Sequence, residues 1–361
     1  PKPPHNPKLT ARVIMEKQYS AADVTIAVLN YNGLKNLPDI FASIQQLDHP
    51  PAETIMVDDG STDSSPDWVR QNQPSVRVVD MGRNTTVLNI VRNAALKAAK
   101  TDLVLIVDND VMLCKDCIDE AVKAMNTLPD AAVCTTRAVY EENRDTIYQD
   151  GQILHYVGAS PNINRECKIS EVDAEPRMSI GWGVQLINRE KCRAVDWFNE
   201  EYFLGWGDDG EFNHKLNMAG LICYHVPRSV VLHKRHGASG RYAPAVTNRW
   251  RFILEMYHWK TLILTAPALL FYELPLFGFL LMKKCPVDYF RGMFLVVKGL
   301  PQILSDRKKI QARRKLPDNK LMGNGDIFVY SDDVNNVLLN LGYKTINTLL
   351  NGYWYLIRGL I

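Results

Sequence analysis

The chain has 361 residues, 46% of them hydrophobic, which is enough to form the core of one large domain with an appendage, or of two domains. Its 42 Lys and Arg residues nearly balance 40 Asp and Glu, and a net charge of +2 argues against a nucleic-acid-binding protein. Seven scattered cysteines argue against a disulfide framework and favour a reducing compartment.

The first elements of the chain alternate between strand and helix. Residues 1–22 form a Pro-rich polar arm without the apolar segment of a secretory signal, so we do not expect export. Strands are predicted at "VTIAVLN", "ETIMVDD", "VRVVD", "LVLIV" and "AAVCTTRAV", and helices over 34–47, 65–71 and 88–99. This alternation predicts an α/β domain with a Rossmann-like, mostly parallel sheet.

Acidic and amide side chains follow three of these strands. The first strand leads into Asn30-Tyr31-Asn32, the second into Asp58-Asp59 and the fourth into Asp108-Asn109-Asp110. Because ligands of open α/β sheets bind at the carboxyl ends of strands, these residues should face one crevice. Clustered carboxylates repel each other, so we expect Mn²⁺ or Mg²⁺ there, shared with a nucleotide diphosphate. The sequence contains neither a Walker loop nor a G-x-G-x-x-G after the first strand, which argues against P-loop NTPases and dinucleotide enzymes.

An ordered set of segments resembles a known enzyme family. The set is "VTIAVLNYNG", "IMVDDGSTD", "VDNDV", "SIGWGVQLINRE", "WFNEEYFLGWGDDGEFNHKL" and "VPRSVVLHK", from Val24 to about Ser239. In order and spacing it is similar to the inverting glycosyltransferases of family 2, which have the GT-A fold, and to bacterial rhamnosyltransferase-like enzymes of envelope and surface polysaccharides. The resemblance implies transfer of a sugar from a nucleotide-sugar donor.

The resemblance also implies which residues bind the donor. Tyr31 and Asp59 match positions that contact the nucleobase, and Asp108 matches an acid near the ribose and diphosphate. Asn84 and Asn93 are weaker matches, because "GRNTTVLNIVRN" lacks the glycine that the family usually has in this loop. Base and sugar preference therefore stay open. Tyr31 has the alternative interpretation of a core residue.

The same comparison assigns the chemistry. Asp110 and His233 match metal ligands, and a bound cation would act as the Lewis acid that neutralises the leaving diphosphate. Asp209 matches the general base, which contributes about 10²–10⁴-fold, and Asp208 beside it would orient the acceptor. Two adjacent carboxylates also raise one another's pKa. His236 is a rival metal ligand.

Structural interpretations exist for several of these residues. Asp208 could serve as a helix N-cap with Asp209 as a first-turn acid, and His233 could be an ordinary half-buried histidine. Trp182 and Trp206 each stand between glycines, and they are either a platform for the sugar or acceptor or simple packing residues. Cys114 and Cys117 form one C-x-x-C, which is typical of a helix start more than of a zinc or redox site.

The last third of the chain has a different composition. An aromatic amphipathic helix is predicted at "WRFILEMYHWK", then 22 mostly apolar residues over 261–282, and a second amphipathic segment at "DYFRGMFLVVKGLPQIL". About 20 apolar residues can span a bilayer, but Glu273, Pro267 and Pro275 disfavour a straight span. With the basic run 307–315, these segments predict contact with a membrane surface; a helical cap on the catalytic domain is the alternative.

We therefore divide the chain into an arm (1–22), a GT-A catalytic domain (23–245), a membrane-associated amphipathic helical region (246–315) and a helical tail (316–361) that could oligomerise or face the membrane. The expected protein is an inverting, metal-dependent glycosyltransferase at the cytoplasmic face of the cell membrane, with a lipid-linked or saccharide acceptor and no nucleic-acid partner. A polyprenyl-phosphate sugar synthase and a non-catalytic membrane scaffold with the same fold are the alternatives.

Overall fold

A computed structural model of the chain describes residues 17–181, 183–234, 240, 242–327 and 337–361. The arm before residue 17, Trp182, His236 and residues 328–336 of the tail lie outside the described residues. The strands are β1 (Val24–Asn30), β2 (Glu53–Asp58), β3 (Arg77–Asp80), β4 (Leu103–Asp108), β5 (Val111–Leu113), β6 (Ala131–Tyr140), β7 (Ile147–Gln149), β8 (Arg177–Met178), β9 (Gln185–Asn188) and β10 (Ile222–His233). The helices are α1 (Leu37–Gln45), α2 (Ser65–Asn72), α3 (Leu88–Ala98), α4 (Cys117–Thr127), α5 (Arg189–Cys192), α6 (Gly210–Met218), α7 (Tyr242–Met256), α8 (Trp259–Met282), α9 (Pro286–Ala312) and α10 (Val337–Ile357).

The strands form one mixed sheet. Its main path runs β3-β2-β1-β4-β9-β6-β10-β5, with β7 beside β6 and β8 beside β10. The four strands β3, β2, β1 and β4 are parallel, as the alternation with helices predicts. β9 then enters antiparallel to both β4 and β6. After β6, strands and helices no longer alternate regularly. The later strands therefore need no helical crossover connections and can pair antiparallel to their neighbours.

Helices cover both faces of the parallel part of the sheet. All seven residues of β1 are buried, and they alternate between two apolar cores. Ile26 and Val28 pack with α1 and α4, whereas Ala27 and Leu29 pack with α3 and α6. A strand buried on both faces explains the uninterrupted apolar run in the sequence. The α/β prediction is confirmed.

The long segment between β7 and β9, which contains the short strand β8, is held against the sheet by a buried ionic cluster. Asp150 accepts hydrogen bonds from Arg137 Nε at 2.6 Å and Arg177 at 2.7 Å, and it lies 2.8 Å from His225 Nε2. Burial alone would raise the pKa of Asp150, but the bonds from His225 and Arg137 hold it well below its usual value. The cluster anchors the segment that delivers Gly181 and Gly183 to the candidate site.

The C-terminal helices pack on a third apolar core, beside the catalytic domain. The predicted helix over residues 250–260 is in fact two elements, because α7 ends at Met256 and α8 begins at Trp259. The backbone N–H of His258, between them, donates to Asp318 at 2.7 Å. α7 begins at Tyr242, so the boundary that we place after residue 245 falls inside a helix.

A buried histidine makes the stability of this fold depend on pH. His214 on α6 is fully buried, and neither ring nitrogen has a hydrogen-bond partner among the described residues. Burial lowers its pKa to about 3. The unfolded chain therefore binds a proton at this residue below about pH 6.5, whereas the folded chain does not. The contribution of His214 to the unfolding free energy is therefore fully present above that pH and is lost as the pH falls.

We expect His214→Leu to reduce the acid sensitivity of the protein. Between pH 7.5 and pH 5, His214 should account for about 2 kcal/mol of the loss in unfolding free energy, from the distance between pH 5 and its unfolded pKa. Urea unfolding at the two pH values measures this difference. His49→Gln, at an exposed histidine, is the control and should not reduce the loss. An unchanged pH dependence in His214→Leu would contradict the assignment.

Candidate active site

The ends of three parallel strands meet at one edge of the sheet. The pairing of β1 with β2 sets Asn30 opposite Asp58, and its pairing with β4 sets Leu29 opposite Asp108. Asn30 Nδ2 donates to Asp58 at 2.7 Å, so the carboxylate of the fully buried Asp58 is part of the framework. The residues that follow these strands form the wall of a cleft.

The cleft has a volume of about 760 Å³ and collects most of the predicted site residues. This size suits a small-molecule ligand. Its lining includes Tyr31, Asp59, Asn84, Asp108, Asp110 and His233, together with Asn109, Phe203, Leu204 and Pro244. These ten residues come from seven separate parts of the chain.

The wall assigned to the nucleobase is built around the loop after β3. Tyr31 is 49% exposed, so it is not a core residue. Asp59 accepts a hydrogen bond from the backbone N–H of Thr85 at 2.9 Å, which ties the loop to β2. Gly60 lies at φ +71°, and a Cβ there would come within 2.6 Å of the backbone of Arg83 and Asn84. The close contact requires glycine at this position.

A short antiparallel pair brings Asp110 next to His233. β5 pairs with the end of β10, with Val111 opposite His233. The backbone N–H of Lys234 donates to the Asp110 carbonyl at 3.4 Å. The His233 ring stacks on Tyr148 with 4.3 Å between centroids and 10° between planes, which fixes its orientation. Two residues 123 positions apart in the sequence therefore share one wall of the cleft.

The lining fits a divalent cation that binds together with a diphosphate. Among the described residues, no group of three or more His, Cys, Asp or Glu is arranged to hold a metal alone. Mg²⁺ is commonly held by one or two carboxylates together with substrate phosphates, and Asp110 offers one carboxylate, on the same cleft wall as His233. Burial and the charge of Asp110 raise the pKa of Asp108 to about 6, although Arg92 opposes them. The cleft therefore favours added positive charge.

Asp208 binds a buried arginine. Arg92 donates to its carboxylate at 2.7 Å, and the two side chains are 4% and 8% exposed. Burial raises the pKa of Asp208 to about 6, with Arg92 opposing and Asp209 adding to the effect. Burial would lower the pKa of Arg92, but Asp208, Asp209 and Asp108 raise it. Asp208 does not line the cleft, so an orienting role would act through Arg92.

Asp209 stands at the start of α6, beside a glycine-rich segment. Asp209 occupies the N-cap position, so the interpretation of Asp208 as the cap and Asp209 as a first-turn acid is wrong. The Asp209 side chain makes no capping hydrogen bond. A Cβ on Gly181 would lie 3.4 Å from the Asp209 carboxylate and 2.9 Å from Gln152 Oε1. A Cβ on Gly183 would lie 2.9 Å from Asp108. Asp209 thus lies beside Gly181, next to the cleft, although it is not a lining residue.

Asn93 and Trp206 do not line the cleft either. Asn93 is buried on α3 and donates to the Phe198 carbonyl at 2.9 Å and to Glu200 at 2.8 Å, so it binds the loop before α6. Trp206 packs edge-on against Phe252 and lines a separate cavity of about 260 Å³, which favours its packing interpretation. Trp182 lies outside the described residues.

Sequence reasoning missed the polar stripe on α3. Asn89, Arg92 and Asn93 are buried at positions i, i+3 and i+4. Asn89 Nδ2 donates to the carbonyls of Asn199 and Asp208, both at 2.8 Å. Such a stripe among apolar residues is a detectable signal of a buried polar network. No pattern in the sequence indicated that Gln152 would lie beside Gly181 together with Asp209.

Comparison with known proteins points to one enzyme family. Residues 25–182 match the family model "Glycosyl transferase family 2". N-acetylglucosaminyl-diphospho-decaprenol L-rhamnosyltransferase of Mycobacterium tuberculosis is 24% identical over 238 residues, which are 60% of this chain and 77% of that protein. EpsH of Bacillus subtilis is 25% identical over 144 residues, 38% of this chain and 42% of that protein.

A solved structure supports the fold. The crystal structure of GalNAc-T7 with UDP, GalNAc and Mn²⁺ superposes with a TM-score of 0.53 at 16% identity. The match covers 67% of this chain and 49% of that one, about half of its length. At this identity the likeness concerns architecture alone, and the architecture is the GT-A fold of glycosyltransferases.

The Arg92–Asp208 pair should be a major determinant of stability. Arg92→Met leaves a buried carboxylate unpaired, and we expect it to lower the unfolding free energy by about 3–5 kcal/mol. Adding Asp208→Leu should restore part of the loss, which urea unfolding of the single and double variants measures. The exposed Arg70–Asp67 pair is the matched control, and Arg70→Met should cost at most about 1 kcal/mol. Strict additivity of the buried pair would contradict the coupling.

Proposed function

We propose that this glycosyltransferase moves a sugar, with inversion, from a nucleotide-sugar donor to a lipid-linked saccharide in the synthesis of an envelope or surface polysaccharide. The main support is the cleft itself. Strand-end carboxylates Asp108 and Asp110 share it with His233, and Asp209 borders it. The named activity of the mycobacterial relative, a rhamnosyl transfer to a decaprenol-linked sugar, supports the acceptor class and the pathway.

The donor would lie between the loop after β3 and the acids after β4. Tyr31 is exposed at the mouth and would stack on the nucleobase, while Asp59 would accept its hydrogen bonds. Asp110 and His233 would hold Mn²⁺ or Mg²⁺, which supplies the positive charge that a leaving diphosphate needs. Asp108 would contact the ribose side of the diphosphate. The donor's anomeric carbon would then face Gly181 and Gly183.

Asp209 would act as the base on the acceptor. Its carboxylate and Gln152 Oε1 both lie near the space above Gly181, where a side chain would collide with them. An acceptor hydroxyl that donates its hydrogen bond to Asp209 would pass its proton to that carboxylate as the oxygen attacks. Asp208 would be a positioning residue that keeps Arg92, and hence the charge of this region, in place.

A membrane location follows from the acceptor class. A sugar on a lipid carrier is presented at a bilayer surface, so the enzyme would work there. The seven cysteines are free, which is typical of a reducing compartment and supports the cytoplasmic face.

Asp209→Asn should separate this function from that of a polyprenyl-phosphate sugar synthase. The acceptor of a synthase is already an anion and needs little help from a base. For a saccharide hydroxyl we expect kcat to fall by about 10²–10⁴-fold, with donor affinity unchanged. Release of nucleoside diphosphate from a donor panel with membrane extract measures turnover. Asp67→Asn, at an exposed acid, is the control. Near-normal turnover in Asp209→Asn would favour the synthase.

Metal dependence should appear in binding as well as in turnover. We expect UDP, GDP or dTDP to bind more tightly with Mn²⁺ than with EDTA, as measured by calorimetric titration. Asp110→Asn and His233→Gln should each weaken the metal-dependent part by at least about tenfold. His49→Gln replaces an exposed histidine and should change nothing. If none of the three nucleotides binds in a metal-dependent way, a non-catalytic scaffold becomes the better interpretation.

A further inference from the structure

Exposed hydrophobic side chains are concentrated on the C-terminal helices. Of nineteen large hydrophobic side chains that are exposed in the described chain, seventeen lie between Trp259 and Leu360. The other two, Tyr31 and Phe203, line the cleft. Concentrated exposure of this kind marks an interaction surface, whereas scattered exposure does not.

α9 has two opposite faces. Its buried residues Gly292, Val296, Ile303 and Ile310 recur on the side that packs against α7. The exposed apolar residues recur every three or four positions: Val287, Phe290, Phe294, Val297, Leu300 and Leu304. Apolar side chains at this spacing form one continuous stripe along a helix.

α8 has a similar stripe, and neighbouring helices flank it. Ile263, Leu270, Leu274 and Leu281 are exposed at helical spacing. α8 contacts both α9 and α10, and α10 exposes Leu349 and Leu356. We call the exposed faces of α8, α9 and α10 the apolar platform.

Contacts along the whole of α8 hold it against the protein. By length and composition the helix could cross a membrane, and only 17% of its most apolar 18-residue stretch is buried. Nevertheless Thr261 and Leu269 are buried near its start, and Leu280 is buried near its end. The Tyr353 hydroxyl on α10 donates to the Leu264 carbonyl at 2.8 Å.

A buried ion pair fixes the middle of α8. Glu273 accepts from Arg249 of α7 at 2.5 Å and from the Tyr289 hydroxyl of α9 at 2.7 Å. The Arg249 and Glu273 side chains are 6% and 12% exposed. A spanning α8 would have to break this pair and carry an uncompensated carboxylate into the hydrocarbon, which is strongly unfavourable. α8 therefore keeps one face on the protein over its full length.

The net positive charge of the helices α8 and α9 indicates what kind of partner binds to the apolar platform. Residues 259–315 contain eleven Lys and Arg but three Asp and Glu, although the whole chain has a net charge of only +2. Lys284, Arg291, Lys298 and Lys308 are exposed and form no ion pair with any described residue. Two copies of this surface would repel each other, whereas anionic lipid attracts juxtamembrane basic residues.

We propose that the apolar platform lies in the plane of an anionic lipid bilayer, with α8 parallel to the membrane instead of crossing it. The stripes insert at the level of the headgroups and upper acyl chains, and the lysines and arginines contact the phosphates. This inference deepens the membrane location that we propose for the transferase. Its test needs no transferase activity, so a failure of either proposal can be distinguished from a failure of the other.

Vesicle binding tests the surface. The full chain should co-sediment with phosphatidylcholine vesicles that contain phosphatidylglycerol, and less with pure phosphatidylcholine or at high salt. Phe290→Glu/Phe294→Glu should weaken binding by at least about tenfold. Lys298→Glu should weaken it about fivefold. Lys97→Glu, at an exposed lysine on α3, is the matched control and should bind as the parent does. Unchanged thermal unfolding shows that each variant is folded.

Insertion depth tests the orientation. Bimane labels at Ile263→Cys, Leu274→Cys and Leu281→Cys can be quenched by lipids with nitroxides at known depths, after Ser replaces the three incompletely buried cysteines, Cys114, Cys167 and Cys285. We expect equal, shallow depths at all three positions. A maximum at 274 with shallow ends would show a spanning helix and overturn the proposal. So would absence of vesicle binding, or a stable dimer that Phe290→Glu/Phe294→Glu dissociates.

Discussion

The site is organised by a single buried guanidinium. Arg92 lies 4% exposed between the acids that follow β4 and those that precede α6, and it binds Asp208 directly. A buried charge is tolerated only when it is paired, and this holds for the arginine and for the carboxylates alike. The position of α3 is therefore coupled to that of the loop before α6. The same charge opposes the repulsion that raises the pKa of Asp108. A cation that binds with a diphosphate would complete this balance.

Backbone pairing then brings distant residues to the cleft. The parallel strands deliver Tyr31, Asp59 and Asp108 because their carboxyl ends share one edge of the sheet. The short antiparallel pairing of β5 and β10 adds Asp110 and His233. Sheet hydrogen bonds are rigid compared with loop contacts, so the acids and the histidine are held ready for a ligand. Gly181 and Gly183, from a different part of the chain, lie beside Asp209 and Asp108, respectively.

α7 connects this cleft to the apolar platform. Pro244, near its start, lines the cleft. Further along, Arg249 binds Glu273 of α8, and Arg251 donates to Asp306 of α9 at 2.9 Å. The height of the cleft above the platform is therefore set by folding and not by a flexible linker. If the acceptor is bilayer-anchored and Asp209 is the base, as we propose, this fixed height would restrict which sugar along the saccharide reaches Asp209.

Local pattern alone determined strands β1–β4 and β6, helices α1–α3 and the strand-end placement of Asp108 and Asp110, because period and turn residues are local properties, but it missed β5 and α4. The family resemblance added His233 and Asp209. Tertiary structure alone showed that Asn93 binds the loop before α6, that Asp208 faces Arg92, that Gln152 lies beside Asp209, and that Glu273 has a partner on α7. Helical spacing indicates which face of a helix a residue occupies, but only packing decides what lies across from that face.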